Sequence, residues 1–567
     1  MSMITVGQQA AAETDVIDFL TKRDLELVDS VNQTHSGVAG VLDHTQTNAG
    51  KALLREMLSN PLTDVSIIIQ RQQAIKALVD DPELLKTIKD QLACVALYEN
   101  SMTFFDPEQT PISLSTVIQS FQYSTSFLKR FNASAFALDA RHITHSFSPL
   151  IVFIFEFGVL HFAGEYLTSH SHDGHDHHDH GHDHDGHDCV QCMEAHPDSS
   201  WIVKTLVNLA KAGHIALHLV NIKDMVEFIS AKMAVMNLVY QELRSLHEVV
   251  HTTDHICQTV RKNQALDGII ATEALTVFDS FLHNDYFVEM PGEDNCLSLD
   301  SLVGPTLVAY AEAQKNSEAL TTLRDSIALL DVYCSLASVI IDAQGKKAHF
   351  CFAEFIDSSE PYLDMVDGWH VMLAPEKVVT NTFSAVGSRG GKYVLSGPNW
   401  SGKSSFLRTL GLNVVLAQSF GIAASDRFVL KPCNKILSFM TIADDMATGQ
   451  SSFVARMVRA DAVTAQQSAL QPNECALVLL DDSVGQGTVA ERGEAIAYEF
   501  IKHMGAYKNN IVLAATHFDR VKSLGSENDS CFGNVRMRVV VDSDGVSHGS
   551  YVLEPGISNA QEVGVLT

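Results

Sequence analysis

An eight-residue glycine-rich segment, Gly397–Ser404, constrains the fold of this 567-residue chain more than any other feature. It reads GPNWSGKS and matches the pattern G-x-x-x-x-G-K-[ST]. A short apolar run, Tyr393–Leu395, precedes it, and a helical run, Ser405–Leu416, follows it. Between a strand and a helix, such a loop points its backbone amides at a phosphate group, and the helix N-terminus adds a favourable field. The sequence therefore predicts a phosphate loop within an α/β domain.

Two later strand patterns carry acidic and imidazole side chains at their ends. Ala476–Leu480 is followed by Asp481 and Asp482, and His517 comes shortly after Ile511–Ala515. Strands that alternate with helical patterns predict a mostly parallel sheet, which we expect to begin near residue 346. A carboxylate at the end of such a strand can order Mg²⁺ and an attacking water. Asp481, Asp482 and His517 are therefore the catalytic candidates.

The candidate nucleotide-binding residues belong to the phosphate loop and to the first turn of the helix after it. Lys403 would neutralise charge on the β- and γ-phosphates, while Ser404 and Asp482 would hold Mg²⁺. The whole set is Gly397, Pro398, Asn399, Trp400, Ser401, Gly402, Lys403, Ser404 and Ser405.

The first half of the chain has the spacing of helices. Ala49–Leu58, Val65–Leu78 and Ser317–Ile341 place apolar residues at helical intervals, and Trp201–Val260 contains long runs without Gly or Pro. Phe147–Ala163 is dense in apolar residues but contains a proline, a glutamate and a histidine. It is also shorter than the roughly 20 apolar residues of a membrane span. We expect a buried helix there, and no membrane as a partner.

Charge and cysteine content restrict the class of protein. The chain has 39 Lys and Arg against 68 Asp and Glu, a formal net charge of −29, which excludes a polybasic chain that coats nucleic acid or anionic lipid. Ten cysteines are too dilute for a disulfide scaffold. We therefore expect an intracellular protein, in the nucleus of a eukaryote or in the cytoplasm and nucleoid of a bacterium.

A low-complexity insertion at residues 169–192 consists mostly of His, Asp and Gly and cannot bury a core. Its imidazoles, carboxylates and thiols could ligate Zn²⁺ or a related ion. Repetitive spacing does not define a closed cage, so a solvated linker that takes up metal adventitiously is the alternative. The accessory metal candidates are His170, His172, His175, Cys189 and Cys192.

The order of motifs resembles that of the MutS family of DNA mismatch-repair ATPases over most of the chain. GPNWSGKSS is similar to the G-P-N-M-G-G-K-S-T of that family, and DDMATGQSSF is similar to its A-D-D-L-x-x-G-x-S-T-F signature segment. The corresponding residues are Gly397–Ser405, the signature segment Asp444–Phe453, Gly485–Thr488 for G-R-G-T and Ala515–Phe518 for A-T-H-Y. In the helical half, matching segments are Gly40–Gly50, Asn60–Asp64, Arg71–Ile75, Ile327–Asp331 and Ser335–Ala337.

This resemblance implies an all-α core and lever domain followed by an α/β phosphate-loop ATPase domain of the ABC type. It implies ATP and Mg²⁺ as ligands and a homodimer or paralogous heterodimer. In such a dimer Gly449, Ser451 and Ser452 of one subunit face the nucleotide of the other. The expected divisions are an N-terminal segment 1–30, a helical domain 31–345, an ATPase domain 346–556 and a tail 557–567.

Several positions depart from the family pattern. Only about thirty residues precede the lever motifs, so we expect no N-terminal mismatch-reading domain or connector, and no compact clamp stands out. Arg456 replaces an acid that usually follows the signature Phe. If the family pattern is aligned without a gap backwards from Gly485, Asp482 takes the metal role and Ser483 stands where the family has a catalytic Glu. One inserted residue instead gives Asp481 the metal role and Asp482 the catalytic one. Slow hydrolysis is expected under either register.

Three functional hypotheses follow. The first is a MutS-like ATPase of mismatch repair or recombination that engages mismatched or branched DNA as an ATP-controlled dimer. The second is a lever-ATPase scaffold that recruits proteins and does not bind DNA directly. The third is a metal-responsive regulator in which the His/Asp-rich insertion biases the lever.

Overall fold

The computed structural model divides the chain into two compact units. Both have gaps, because the structure describes residues 15–28, 37–108, 111–124, 129–169, 200–282, 303–386, 391–440, 452–486, 488–527, 530–542 and 547–558. The sheet-containing unit comprises the described parts of Met1–Glu99, Val249–Thr276 and Thr321–Thr567. The helical unit comprises those of Asn100–Glu248 and Val277–Leu320. These units group residues differently from the predicted boundary at residue 346, which remains a prediction about family domains.

Helices make up the described chain before the first strand. Their bounds are Phe19–Asp24, Gly37–Leu42, Asn48–Ser59, Val65–Asp80, Pro82–Tyr98, Ser101–Phe104, Ile112–Phe121, Ala135–Ser169, Ser200–Val260, Thr272–Leu282, Val303–Lys315 and Ser317–Ala343. The later helices are Lys403–Phe420, Ser452–Ser468, Ala490–Ala506 and Asp519–Ser523. The predicted helices at residues 49–58, 65–78, 201–260 and 317–341 are confirmed within one or two residues at most of their ends.

Twelve described strands form three sheets in the sheet-containing unit. In chain order they are β1 Cys351–Phe352, β2 Glu354–Phe355, β3 Leu363–Gly368, β4 Asn381–Ser384, β5 Lys392–Ser396, β6 Ile422–Ala423, β7 Arg427–Leu430, β8 Lys435–Phe439, β9 Ala476–Leu480, β10 Asn510–Thr516, β11 Phe532–Val541 and β12 Ser547–Pro555. The main sheet has the order β12-β11-β5-β10-β9-β8 and is parallel except for β12, which confirms the predicted mostly parallel sheet.

The central strands of the main sheet are buried on both faces. Every residue of β9 and β10 is buried. Val478 and Leu480 pack in a core with Ile501 and Met504 of helix Ala490–Ala506. On the opposite face the sheet meets helix Lys403–Phe420, where a Cβ on Gly411 would lie 2.8 Å from a methyl of Leu479. Continuous apolar runs such as ALVLL are what a parallel strand covered on both faces requires.

An N-terminal strap, Asp15–Leu27, lies along the edge of the main sheet. Ile17 forms a parallel bridge with Ile436 of β8, and the Ile436 amide donates to the carbonyl of Val16 over 2.8 Å. Farther along, Asp24 is 3% exposed and accepts hydrogen bonds from the Ser438 hydroxyl at 2.6 Å and the Met440 amide at 3.2 Å. The strap therefore covers the outer edge of β8.

The start of helix Asn48–Ser59 is held by two acidic side chains distant in sequence. Asp331, which is fully buried, accepts from the Thr47 amide at 2.8 Å and the Thr47 hydroxyl at 2.7 Å. Glu99 accepts from the amides of Asn48 at 2.8 Å and Ala49 at 2.6 Å. Negative charge at a helix N-terminus satisfies its free amides and opposes the helix dipole. These bonds tie three helices of the sheet-containing unit together.

In the helical unit, the expectation of a buried helix at residues 147–163 is wrong in part. The segment is helical, within Ala135–Ser169, but many of its large apolar side chains are exposed. Described residues of this stretch contact helix Ser200–Val260: the ring centroids of Phe153 and His214 are 6.1 Å apart, and His161 Nδ1 lies 3.0 Å from Lys211 Nζ. Apolar residues all round a helix predict burial only if neighbouring elements cover every side of it.

One described helix, Ser317–Ala343, is long and apolar enough to cross a membrane, and 78% of its most apolar window is buried inside the protein. The apolar stretch Leu150–Val159 is shorter. Core helices of folded domains have the same length and composition.

The buried Asp24 carboxyl predicts a specific pH dependence of stability. Burial raises the Asp24 pKa to about 6 from an ordinary value of 3.8, against the opposing effects of Ser438 and Arg459. Between these values the folded chain binds the proton more tightly than the unfolded chain, so stability falls as the pH rises towards 6. We expect Asp24→Asn, whose amide oxygen can accept the same hydrogen bonds, to raise the melting temperature at pH 7.5 and to lose this advantage at pH 4.5.

Differential scanning calorimetry across this pH range measures the effect, with Asp267→Asn at an exposed turn as the matched control. Equal melting temperatures of the Asp24→Asn variant and the wild type at pH 7.5 would contradict the assignment.

Candidate nucleotide site

The phosphate loop, Gly397–Ser404, joins the carboxyl end of β5 to helix Lys403–Phe420. Ser401 is buried, and its hydroxyl donates to the Pro398 carbonyl over 2.8 Å, which closes the loop on itself. Gly402 has φ +98°, and a Cβ there would lie 2.7 Å from the Tyr551 ring. Both the backbone conformation and the neighbouring ring therefore require glycine at this position.

Lys403 lies under the loop and is 5% exposed. Its ammonium donates to the carbonyls of Gly397 at 2.9 Å and Pro398 at 3.1 Å, and lies 3.8 Å from Asp482 Oδ2. Burial lowers the Lys403 pKa, and the charges of Asp482 and Asp481 oppose that shift. The lysine thus rests on the loop's own carbonyls, where its charge is available to an incoming anion.

Asp482 and His517 come together from neighbouring strand ends. Residue Ala514 of β10 lies opposite both Leu480 of β9 and Val394 of β5, so these parallel strands end at one edge of the sheet. His517 Nδ1 lies 3.4 Å from Asp482 Oδ2. A hydrogen bond from His517 is the main cause that lowers the Asp482 pKa, with Lys403 contributing charge, so this carboxylate is ionised at neutral pH.

Asp481 makes different contacts from its neighbour. It is 6% exposed, its amide donates to the Phe439 carbonyl over 3.0 Å, and its Oδ1 accepts from the Ser483 amide at 2.9 Å. It therefore caps the 3₁₀ turn Asp482–Gly485, as Asp side chains commonly do. Gln486 adds an amide 3.3 Å from Asp482 Oδ1.

The remaining residues of the phosphate loop differ in exposure. Asn399, Ser404 and Ser405 are exposed, and Trp400 is half-buried. Strand β12 forms a wall beside them, since a Cβ on Gly549 would lie 3.1 Å from the Trp400 carbonyl. The exposed hydroxyls and amide are therefore accessible to a ligand.

Sequence reasoning missed Tyr551 and Asn381. Tyr551 packs its ring on Gly402 and has φ +58°, which is rare for a residue with a side chain. Asn381 holds it there by donating to the Tyr551 carbonyl at 3.0 Å and accepting from the Leu553 amide at 2.6 Å. No spacing or composition signal marks a tyrosine in this conformation.

Oxygen donors at this site suit Mg²⁺. The ion keeps several waters and is typically held by one or two carboxylates together with substrate phosphates, so a hydroxyl and a carboxylate at one strand edge suffice. Ser404 and one of Asp481 and Asp482 would supply them. Among the residues that the structure describes, no group of three or more His, Cys, Asp or Glu side chains could hold a metal ion.

Some predicted site residues cannot be placed. The accessory metal candidates His170, His172, His175, Cys189 and Cys192 lie outside the described residues, as do Gly449 and Ser451. Ser452 is the first residue of helix Ser452–Ser468. The site residues predicted from sequence stay predictions, and the structure brings Lys403, Asp482 and His517 together.

Comparisons with known proteins agree on one family. The family description MutS domain III matches residues 20–337, and MutS domain V matches residues 393–565. The DNA mismatch repair protein MutS of Chlorobaculum parvum is 23% identical over 543 residues, which cover 92% of this chain and 56% of that protein. The MutS of Rickettsia prowazekii is 23% identical over 88% of this chain and 53% of its own length.

A shorter alignment has higher identity. The DNA mismatch repair protein MutS of Lactobacillus helveticus is 31% identical over 218 residues, 38% of this chain and 24% of that protein. The chain thus spans about half the length of its relatives in the long alignments and about a quarter in this one. With one family's descriptions matched over most of its length, the chain belongs to the MutS family.

Proposed function

We propose that this chain is an ATP-binding member of the MutS family, with a phosphate-loop ATPase domain of the ABC type, that acts in DNA mismatch repair or recombination. The observation that carries the proposal is the position of Lys403. Its buried ammonium donates to two carbonyls of the phosphate loop and lies near Asp482 Oδ2, the same oxygen that His517 contacts. A cation and an ionised acid at one strand edge suit a Mg²⁺–triphosphate.

Each side chain then has a distinct role. Lys403 exchanges its carbonyl partners for β- and γ-phosphate oxygens, and the loop amides bind the same phosphates. Ser404 and Asp481 would hold Mg²⁺, which would offset the negative charge of the phosphates. Asp482 orients the attacking water, and His517 fixes the position of that carboxylate. The contacts of Asp482 with Lys403 and His517 support this register, which contains one inserted residue; in the ungapped alternative, Asp482 holds the metal.

Hydrolysis in this arrangement is slow. An aspartate is one methylene shorter than the glutamate of the family pattern, so a water held by Asp482 lies farther from the phosphorus. A misplacement of about 1 Å can cost on the order of a hundredfold in rate. ATP then acts mainly as a ligand that favours a closed dimer, in which Gly449, Ser451 and Ser452 of one subunit face the nucleotide of the other.

The proposed DNA ligand is mismatched or branched. The comparisons support it, because relatives aligned over 92% and 88% of this chain are named as DNA mismatch repair proteins. The net charge of −29 means that any contact with phosphates comes from a local basic patch. The partner subunit is a second copy or a paralogue.

The scaffold alternative has a specific observation in its favour. Helices Ala135–Ser169 and Ser200–Val260 expose large apolar side chains, with Phe155 73% exposed, Phe162 74% and Leu209 68%. Contiguous exposed apolar surface marks a site of protein contact more often than a site of DNA contact, which is polar and basic. A chain that recruits a protein through these helices would retain the ATP site.

Lys403→Ala tests the nucleotide site. We expect its affinity for ATP to fall at least tenfold, because a charge-assisted phosphate contact is worth roughly 1.5 kcal/mol or more. Binding of a fluorescent ATP analogue to the full chain measures it. Lys431→Ala is the matched control, since Lys431 binds the Asn473 carbonyl near the opposite, amino edge of the sheet. Unchanged ATP affinity of the Lys403→Ala variant would reject the site.

Asp482 variants test the proposed register. If Asp482 is the water-orienting acid, Asp482→Glu should raise the single-turnover hydrolysis rate, and Asp482→Asn should lower it tenfold or more. ATP affinity should change little in both, which separates hydrolysis from binding. Asp357→Glu, at an exposed position, is the control. A lower rate for Asp482→Glu would instead favour a direct metal role, where the shorter side chain fits.

Salt dependence separates DNA binding from the scaffold alternative. For the proposed function, affinity for a mismatched duplex or a four-way junction should fall about 10³-fold between roughly 50 and 200 mM salt if six phosphates are contacted. The affinity should also differ with and without ATP, and Lys403→Ala should abolish that difference. Fluorescence anisotropy measures both. No binding to any DNA in either nucleotide state would favour the scaffold.

A further inference from the structure

Two nitrogen atoms of the Arg456 guanidinium have no hydrogen-bond partner among the described residues. These atoms are Nε and Nη1, and both are buried. Buried donors without partners are rare, and a charged one is costly because it loses hydration and gains nothing in return. The sequence makes this position unusual as well, since the family pattern has an acid there.

Arg459, three residues later on the same helix, is the opposite case. It is 5% exposed and binds Asp18 at 2.7 and 3.3 Å and the Ser438 carbonyl at 2.6 and 3.1 Å. It also donates to the Thr21 hydroxyl at 3.1 Å. Arg459 therefore fixes helix Ser452–Ser468 against β8 and the N-terminal strap, and all its donor groups are used.

The anchoring of Arg459 determines where Arg456 lies. Residues three apart share a helix face, and Arg456 is about 4.5 Å nearer the helix N-terminus. This helix connects the parallel strands β8 and β9, so it runs back against them and begins at their carboxyl edge. Arg459 is level with Ser438 of β8, and Arg456 therefore lies close to the end of that strand, beside the edge that carries the acidic pair.

Ser483 is a second unpaired group at this edge. It is 6% exposed, and its hydroxyl is buried without a partner among the described residues. Ser483 belongs to the 3₁₀ turn Asp482–Gly485, against which helix Ser452–Ser468 packs. Two elements in contact thus each present an unused donor.

The two carboxylates of the acidic pair at this edge have other partners. Asp481 is bonded to the Ser483 amide, and Asp482 is shared by Lys403, His517 and Gln486. Gln486 is neutral where the family pattern G-R-G-T has an arginine. Arg456 therefore supplies a positive charge at an edge where the family's own arginine is missing. An unpaired guanidinium and hydroxyl together suit a phosphate group, which offers several acceptor oxygens.

We propose that Arg456 and Ser483 form an anion subsite for the terminal phosphate of a nucleoside triphosphate. The proposal rests on the proposed function and adds two residues to its site. The terminal phosphate belongs either to the nucleotide of the same subunit or to that of the partner subunit. In both cases a nucleoside diphosphate lacks it. The subsite therefore distinguishes ATP from ADP.

The test uses Arg456→Met and Ser483→Ala in the full chain, with Arg459→Met as the matched control. If the phosphate is the subunit's own, Arg456→Met should lower ATP affinity about tenfold to hundredfold at protein concentrations below self-association, with ADP affinity changed less than twofold. If the phosphate is the partner's, the ATP affinity of Arg456→Met should be unchanged at low protein concentration, and its ATP-dependent self-association should be lost. Ser483→Ala should act in the same direction, less strongly.

Thermal unfolding separates this role from a structural one. Arg456→Met removes two buried donors that lack partners among the described residues and should raise the melting temperature without nucleotide, whereas Arg459→Met breaks a satisfied network and should lower it. Wild-type behaviour of both Arg456→Met and Ser483→Ala in ATP affinity, ADP affinity and self-association would overturn the subsite and leave the proposed function standing. A wild-type chain that neither binds ATP nor associates would overturn both.

Discussion

The parallel register of β5, β10 and β9 is the constraint on which the candidate site depends. It places the phosphate loop, the acidic pair and His517 at one edge of the sheet, although more than a hundred residues separate Ser404 from His517. Lys403 then joins the loop to Asp482, and His517 completes the contact from the next strand. Crossover helices are what allow parallel neighbours to be so far apart in sequence, because each crossover needs a dozen or more residues.

Sequence reasoning succeeded where one local pattern determines the structure. The run ALVLL predicted β9 to the residue, and the glycine-lysine motif predicted a loop between a strand and a helix. In both places apolar periodicity and turn chemistry point to the same answer, which is the condition under which local rules are reliable. The resemblance to one family added the order of the domains.

It failed where a distant surface decides the outcome. The helix at residues 147–163 is apolar all round, and nothing in its own sequence predicts that many of its large apolar side chains are exposed. No sequence signal marks the contacts of the N-terminal strap: Thr21 and Asp24 bind Ser438 of the edge strand β8, and Asp18 binds Arg459 of the following helix, each more than four hundred residues away. Tyr551 has a left-handed backbone, and the residues that contact it there, Gly402 and Asn381, are distant in sequence. Long-range pairing of this kind has no period to detect.

The exposed apolar side chains along helices Ala135–Ser169 and Ser200–Val260 have a thermodynamic consequence. Burial of such surface is driven by water release near room temperature and carries a large negative heat-capacity change. Any assembly through these helices should therefore loosen on cooling and tighten in sulfate, while a phosphate contact responds to added salt in the opposite sense. Cooling and lyotropic salts would then distinguish association through the apolar helices from association through phosphate contacts.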